Sequence, residues 1–308
     1  MVENTLEQEL NQITSIKSIK VFDNAIQQMV KLTDGKILLV SDSRIVKVLN
    51  PQNDYHEDFT GQLDTDSRIA AIISLPNGHF VVSYTIELIE IYSFGQNELK
   101  KEFSTTATGK DAKMCVLTKN RFATLGYGEK KIKIWKGEAP YSETLIAETE
   151  AQEIDSSQRC SLVQLQDKEV LALAANGVYL FDLNDYKCIK ALTHFTPNNF
   201  FTQLNEDIFA TDGYFLNIKT GDSEEYYKDW FCNCLFGIVL SNKKYLFESC
   251  IENIDHGYCR YYINLYDIKT KKKALGKYGY IWNPILIDEH SFLAIKESGN
   301  EIECWKYQ

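Results

Sequence analysis

Basic excess is missing from this chain. Its 308 residues carry 33 Lys and Arg against 43 Asp and Glu, a formal net charge of −10. Phosphate-backbone binders concentrate cations to displace counterions, so nucleic acid is disfavoured as a partner. A secretory signal is missing too: "MVENTLEQEL" at 1–10 is acidic, with no basic start followed by an apolar stretch. No window approaches the roughly 18 uninterrupted apolar residues that a membrane-spanning helix needs. Catalytic signatures are equally scarce. There is no Gly-x-Ser-x-Gly elbow, no His-Glu-x-x-His pair and no dinucleotide fingerprint. "TATGKD" at 106–111 lacks the earlier glycine, and the Ser or Thr after Lys110, that a phosphate loop requires. The five histidines, at 56, 79, 194, 256 and 290, form no recognisable dyad and read as surface or turn residues.

What is present is ample core material. Hydrophobic residues make up 44% of the chain, aromatics 12%, and 25% is charged, as in an ordinary globular surface. The length suits two ordinary domains or one large all-β domain. Most of the eight cysteines, at 115, 160, 188, 232, 234, 250, 259 and 304, sit in apolar strand-like runs such as "KMCVL", where Cys serves as a small buried hydrophobe. Reduced thiols and a cytoplasmic setting are therefore expected.

The decisive feature is a repeat. "KILLVSDSRIVKVLN" at 36–50 resembles "HFVVSYTIELIEIYS" at 79–93 and "RFATLGYGEKKIKIW" at 121–135. The last apolar residue before each polar turn recurs at Leu32, Leu75, Leu117, Leu165, Leu204, Leu240 and Ile287, a mean spacing of about 42. That is the period of a four-stranded propeller blade. After each turn comes an apolar run, such as "ILLV" at 37, which fits a strand covered on both faces. An alternating run follows, such as "IEIY" at 89 or "IKIW" at 132, which fits a strand with one buried face. The expected fold is all-β: a seven-bladed β-propeller of four-stranded antiparallel blades. The chain stops soon after "IECW" at 302–305, so "SIKSIKVF" at 15–22 is expected to close the ring as the missing outer strand. Residues 1–14 form a leader, with Val2, Leu6, Leu10 and Ile13 at the spacing of a short helix; residues 15–308 form one propeller, expected to be a monomer.

Over residues 15–308 the chain resembles the WD40 family. The unit length matches, and "KIKIWKG" at 131–137, "VYLFDLN" at 178–184, "INLYDIK" at 263–269 and "IECWKYQ" at 302–308 match the ends of its third strands. The Gly-His that opens each family unit is absent; the single Gly78-His79 falls in an inner turn, so the family's Asp-His-Ser-Trp network has no complete counterpart. The resemblance implies a non-catalytic scaffold or adaptor that holds a protein or peptide on the top face. It thereby gives "ENIDHGYCRYY" at 252–262, "EEYYKDWFCNC" at 224–234 and "GYIWN" at 279–283 a role: their loops would converge on that face. Trp230, Tyr258, His256, Tyr280, Trp282, Asp229 and Asp255 are the candidate partner-binding residues, since Trp and Tyr anchor interfaces and the acids favour a partner with Lys or Arg. No catalytic residue, cofactor or metal is expected. Cys232, Cys234, Cys250, His256 and Cys259 fit no standard zinc spacing. Two other readings stand beside this one: a bacterial effector acting on host proteins from within the host cytosol, and an enzyme or small-ligand binder with a site in the central channel.

Overall fold

The computed structural model describes residues 14–96, 98–106, 109–141, 143–148, 160–166, 168–194, 201–211, 213–226, 232–240, 245–254, 258–270, 273–278 and 281–306. They form seven four-stranded antiparallel sheets, in sequence order. The first sheet is β2 (Ile26–Lys31), β3 (Ile37–Ser41), β4 (Ile45–Asn50) and β5 (His56–Gln62). The second is β6 (Ile69–Ser74), β7 (Phe80–Tyr84), β8 (Ile89–Phe94) and β9 (Leu99–Thr105). The third is β10 (Lys113–Leu117), β11 (Arg121–Leu125), β12 (Lys131–Lys136) and β13 (Glu143–Glu148). The fourth is β14 (Ser161–Gln164), β15 (Val170–Ala174), β16 (Val178–Asp182) and β17 (Cys188–Leu192). The fifth is β18 (Phe201–Gln203), β19 (Ile208–Thr211), β20 (Tyr214–Asn217) and β21 (Ser223–Glu225). The sixth is β22 (Cys232–Val239), β23 (Tyr245–Ile254), β24 (Tyr258–Asp267) and β25 (Lys273–Tyr278). The seventh takes β26 (Ile281–Asp288), β27 (Ser291–Lys296) and β28 (Glu301–Lys306) from the end of the chain and β1 (Thr14–Lys20) from its start.

Turn chemistry explains the repeat. In "LTDGK" the Leu32 N–H donates to Lys36 O at 2.8 Å, Gly35 N–H donates back to Leu32 O at 3.0 Å, and Asp34 Oδ1 accepts from Lys36 N at 3.1 Å. "LPNGH" repeats it: Leu75 to His79 O at 2.8 Å, Gly78 to Leu75 O at 3.0 Å, Asn77 Oδ1 from His79 N at 3.1 Å. Both turns place their glycine at positive φ, +85° and +84°, which a side chain would strain. The recurring leucine thus ends the first strand and starts the turn.

Two compact units divide the chain: Gln27–Asn198, and Asn199–Gln308 together with Met1–Ile26. In the first, neighbouring sheets bury Leu38, Val40, Phe80 and Val82 in one cluster, Val81, Phe122 and Trp135 in a second, and Leu125, Leu173 and Phe181 in a third. In the second unit, Leu204, Phe215, Leu246 and Tyr266 pack together, as do Phe247, Leu265, Phe292 and Trp305. The second strands are mainly apolar because both faces are covered; β3 and β7 are buried along their whole length, including Ser41 and Ser83.

β4, β12 and β28 keep the expected alternation over their first half, but β8 and β16 depart from it. Alternation predicted one buried face, yet β8 buries Ile89, Glu90, Ile91 and Tyr92 in succession, and β16 buries Val178 to Phe181. Neighbouring sheets cover both faces there too, and the polar positions are retained because partners inside the protein satisfy them.

β1 completes the seventh sheet, as expected. It pairs antiparallel with β28, Ser18 opposite Glu303 and Ile19 opposite Ile302. Ser15 Oγ donates to Glu303, Ser18 Oγ donates to Glu301 Oε2 at 2.7 Å, and Ile26 N donates to Gly299 O at 2.6 Å. Without β1 the backbone of β28 would be an open edge. The leader's proposed helix lies outside the described residues.

Candidate protein-binding surface

A four-stranded meander has two ends. The connections between first and second and between third and fourth strands lie at one, here the turn end. Those between second and third strands, and the links to the next sheet, lie at the other, the linker end. Every candidate surface sits at one of these.

At the linker end of the first and second sheets, a depression of about 460 Å³ is lined by Gln27, Asp42, Arg44, Asp66, Ser67 and Arg68. Arg44 has φ +65° and reaches Asp66 at 3.5 Å. Its neighbours are tied to it: Leu63 N donates to Arg44 O at 3.0 Å, and Thr85 N donates to Arg68 O at 2.9 Å. Two arginines against two aspartates leave this site electrically balanced.

In the 199–308 unit a cleft of about 550 Å³ opens beside the fifth and sixth sheets at their turn end. Leu204, Ile208, Phe215 and Ile268 give it apolar walls, while Asn205, Asn217, Asp222, Ser223 and Glu224 edge it. The volume falls in the range of ligand pockets. Beneath it Phe215 stacks on Tyr226 with ring centroids 4.2 Å apart, and Tyr226 donates to Glu248 and to Thr211 O, the latter at 3.0 Å. Asn205 and Asn217 are committed to their turns: Asn205 Oδ1 accepts from Asp207 N and Ile208 N, Asn217 Oδ1 from Lys219 N and Thr220 N. Asp222, Ser223 and Glu224 are exposed. The outer strand β21 spans 3 residues, against 7 in β5, β9 and β1, so little backbone overhangs this cleft.

The most conspicuous titratable cluster is a closed one. Glu90 is only 2% exposed and accepts from Tyr84 Oη at 2.8 Å, Tyr92 Oη at 2.6 Å and Lys101 Nζ at 3.0 Å. Burial alone would raise its carboxyl, but bonds from Tyr92, Tyr84, Lys101 and Thr65 outweigh it and hold the group below the usual range. Lys101 also meets Asp64 at 3.1 Å. A carboxylate enclosed by its own partners has no room to meet a substrate, so the cluster is a structural staple.

The residues read from the sequence fare unevenly. Asp229, Trp230, Asp255, His256 and Tyr280 lie outside the described residues. Tyr258, expected in or near a loop, is the first residue of β24, opposite Ile254 at the end of the β23–β24 hairpin. Trp282, also expected near a loop, is the second residue of β26, half-buried and opposite Ile295. Cys232 and Cys234 belong to β22, with Cys234 opposite Cys250. Sequence reasoning missed the cleft, whose walls come from residues in or beside four separate strands, β18, β19, β20 and β24. It also missed two exposed side chains at the linker end of the first unit, Ile86 and Tyr127. "GYG" at 126–128, an aromatic between glycines in a turn, was the available signal.

No family model matches the sequence, and no curated protein matches it as a relative. Structure carries the likeness instead. The chain superposes on the WD40 β-propeller domain of Doa1 with a TM-score of 0.68, covering 96% of this chain and 97% of that one at 11% identity. The fold is that of a seven-bladed WD40 β-propeller. At this identity the likeness concerns the fold alone. In the propeller's third blade Trp135 Nε1 donates to Thr124 Oγ1 at 2.8 Å. In the second blade Glu90 and its two tyrosines occupy the core of the strand pair. WD40 propellers generally mediate protein–protein interactions and are typically non-catalytic. Among the described residues, no helix is long and apolar enough to cross a membrane.

Proposed function

We propose that the protein is a non-catalytic interaction module that holds a protein or peptide segment combining an apolar side chain with Lys or Arg. The carrying observation is the cleft of the 199–308 unit, with Phe215 and Ile268 on its walls and Asp222 and Glu224 at its edge. An aliphatic or aromatic side chain would desolvate against the walls while a neighbouring cation meets the carboxylates, and the electrostatic part would weaken with salt. A second reading places the same kind of segment at the linker end, on Trp230, Tyr258, His256, Tyr280, Trp282, Asp229 and Asp255. The aromatic density of those stretches and the half-burial of Trp282 at the head of β26 favour it. The absence of disulfides at Cys115, Cys160, Cys188 and Cys304 supports a reducing, cytoplasmic place of action.

Selection from a random-peptide display library tests the function and separates the readings. Enriched peptides should carry Lys or Arg next to an apolar residue. Loss of binding in Ile268→Asp, with Trp230→Ala and Tyr258→Ala unaffected, assigns the cleft; the reverse assigns the linker end. A selection that enriches no peptide carrying Lys or Arg next to an apolar residue overturns the proposal.

A further inference from the structure

The third sheet displays a different surface at its linker end, centred on Tyr127. This side chain is 56% exposed although it is large and aromatic. It stands on a turn fixed from several directions. Tyr127 N donates to Lys110 O at 2.6 Å, Glu129 N donates to Gly126 O at 3.1 Å, and Glu129 Oε2 accepts from Gly126 N at 3.3 Å. Lys133 Nζ holds the other oxygen of Glu129 at 3.0 Å. Turn and incoming linker pack backbone to backbone: a methyl at Gly126 would fall 2.4 Å from the Gly109 Cα. An aromatic held outward by such a turn loses little entropy on binding, which is the usual property of an interface anchor.

The charge around it runs against the rest of the chain. Residues 109–113 and 126–133 carry Lys110, Lys113, Lys130, Lys131 and Lys133 against Asp111 and Glu129, a local excess of positive charge in a chain of net −10. A second exposed apolar residue belongs to the same end: Ile86, 46% exposed, sits in a tight turn closed by Leu88 N donating to Ile86 O at 2.7 Å. That turn is joined to the linker before the third sheet through Ser83 Oγ, which donates to Ala112 O at 2.7 Å.

We propose that this surface docks an acidic protein segment carrying an aromatic or aliphatic residue, which stacks on Tyr127 while its carboxylates meet the lysines. Its partner is opposite in charge to that of the 199–308 unit, so the two sites take different segments. A protein segment is favoured over nucleic acid because one aromatic and an interspersed Asp111 offer neither a stacking series nor an uninterrupted basic track.

Fluorescence anisotropy with a short labelled glutamate-rich peptide bearing one central tyrosine tests the proposal. The same peptide with serine for tyrosine, its lysine-rich counterpart and a single-stranded oligonucleotide serve as comparisons. The Glu/Tyr peptide should bind more tightly than its serine analogue and the oligonucleotide, whereas the lysine-rich peptide, which suits the cleft of the 199–308 unit, should be insensitive to Tyr127→Ala. Tyr127→Ala and the Lys110→Glu, Lys130→Glu pair should each weaken Glu/Tyr-peptide binding about tenfold, while Tyr127→Phe and Lys187→Glu, a change at the turn end, leave it unaltered. Unchanged binding of the Glu/Tyr peptide in Tyr127→Ala, equal loss in Lys187→Glu, tighter binding of the oligonucleotide, or loss of lysine-peptide binding in Tyr127→Ala overturns it. So does self-association of the protein that Tyr127→Ala abolishes, which would make a second copy the occupant.

Discussion

Tyr92 donates its phenol proton to Glu90 Oε2 at 2.6 Å, two residues along the same strand, where both side chains are buried. Removing the acceptor strands two buried phenols at once and leaves the Lys101 ammonium with Asp64 alone. Glu90→Ala should cost about 3 kcal/mol in urea unfolding, within the range for breaking a buried ionic contact, and Tyr84→Phe about 1 kcal/mol. A loss in Glu90→Ala no larger than that of an exposed Glu→Ala would contradict the staple.

The same network sets the response to pH. The Glu90 carboxyl lies below its ordinary value of 4.5 when folded, so its contribution is present above that value and is lost as pH falls through the folded one. The phenols of Tyr84 and Tyr92 move the other way, raised above 10.0 chiefly by burial. Their contribution is present below pH 10 and is lost as pH rises beyond it. Melting temperature against pH should therefore fall on both flanks, and the alkaline fall should be shallower in a Tyr84→Phe, Tyr92→Phe double variant. An identical alkaline limb in the two proteins would contradict the assignment.

Much of this architecture was legible because the turns repeat. Leu32, Leu75, Leu117, Leu165, Leu204 and Leu240 are all buried where the first strand ends, and "SIKSIKVF" is the strand that pairs with β28. Polarity within strands misled: Glu90 in "IEIY" reads as a solvent position, and only the tertiary placement of Tyr84 and Lys101 shows otherwise. Surfaces were harder still. The cleft combines Leu204, Phe215 and Ile268, residues far apart in sequence and each ordinary for its strand-end. Loop composition suggested aromatic anchors, but Tyr258 and Trp282 begin strands, because hairpin pairing in the sixth and seventh sheets extends further than the apolar pattern does.

Completion of the seventh sheet by β1 yields a truncation series. Deleting residues 1–22 removes the partner of β28 and the bond from Val21 N to Asn300 O at 3.1 Å, so the melting temperature should fall and aggregation rise. Deleting residues 1–13 leaves β1 intact and should be milder. Equal melting of the longer truncation and the full chain would contradict the pairing.

Thiol reactivity offers a further check. Part of Cys115 reaches solvent, yet its thiol is desolvated, and burial pushes it up to about 11; burial raises Cys160 as well. Both should resist alkylation at pH 8 in the native protein and react on unfolding, as read by mass spectrometry of labelled peptides. Rapid native labelling of Cys115 would contradict its packing against the third and fourth sheets.

The claim that this propeller is a protein-binding module with a basic-segment site in the 199–308 unit is tested most directly by hydrogen exchange, comparing the protein with and without a display-selected peptide that bears Lys or Arg beside an apolar residue. New protection should appear in the peptides spanning 199–308, at 204–226 and 268 for the cleft or at 229–230, 255–258 and 280–282 for the linker end. Protection confined to residues 27–198, or none at saturating peptide, would contradict it.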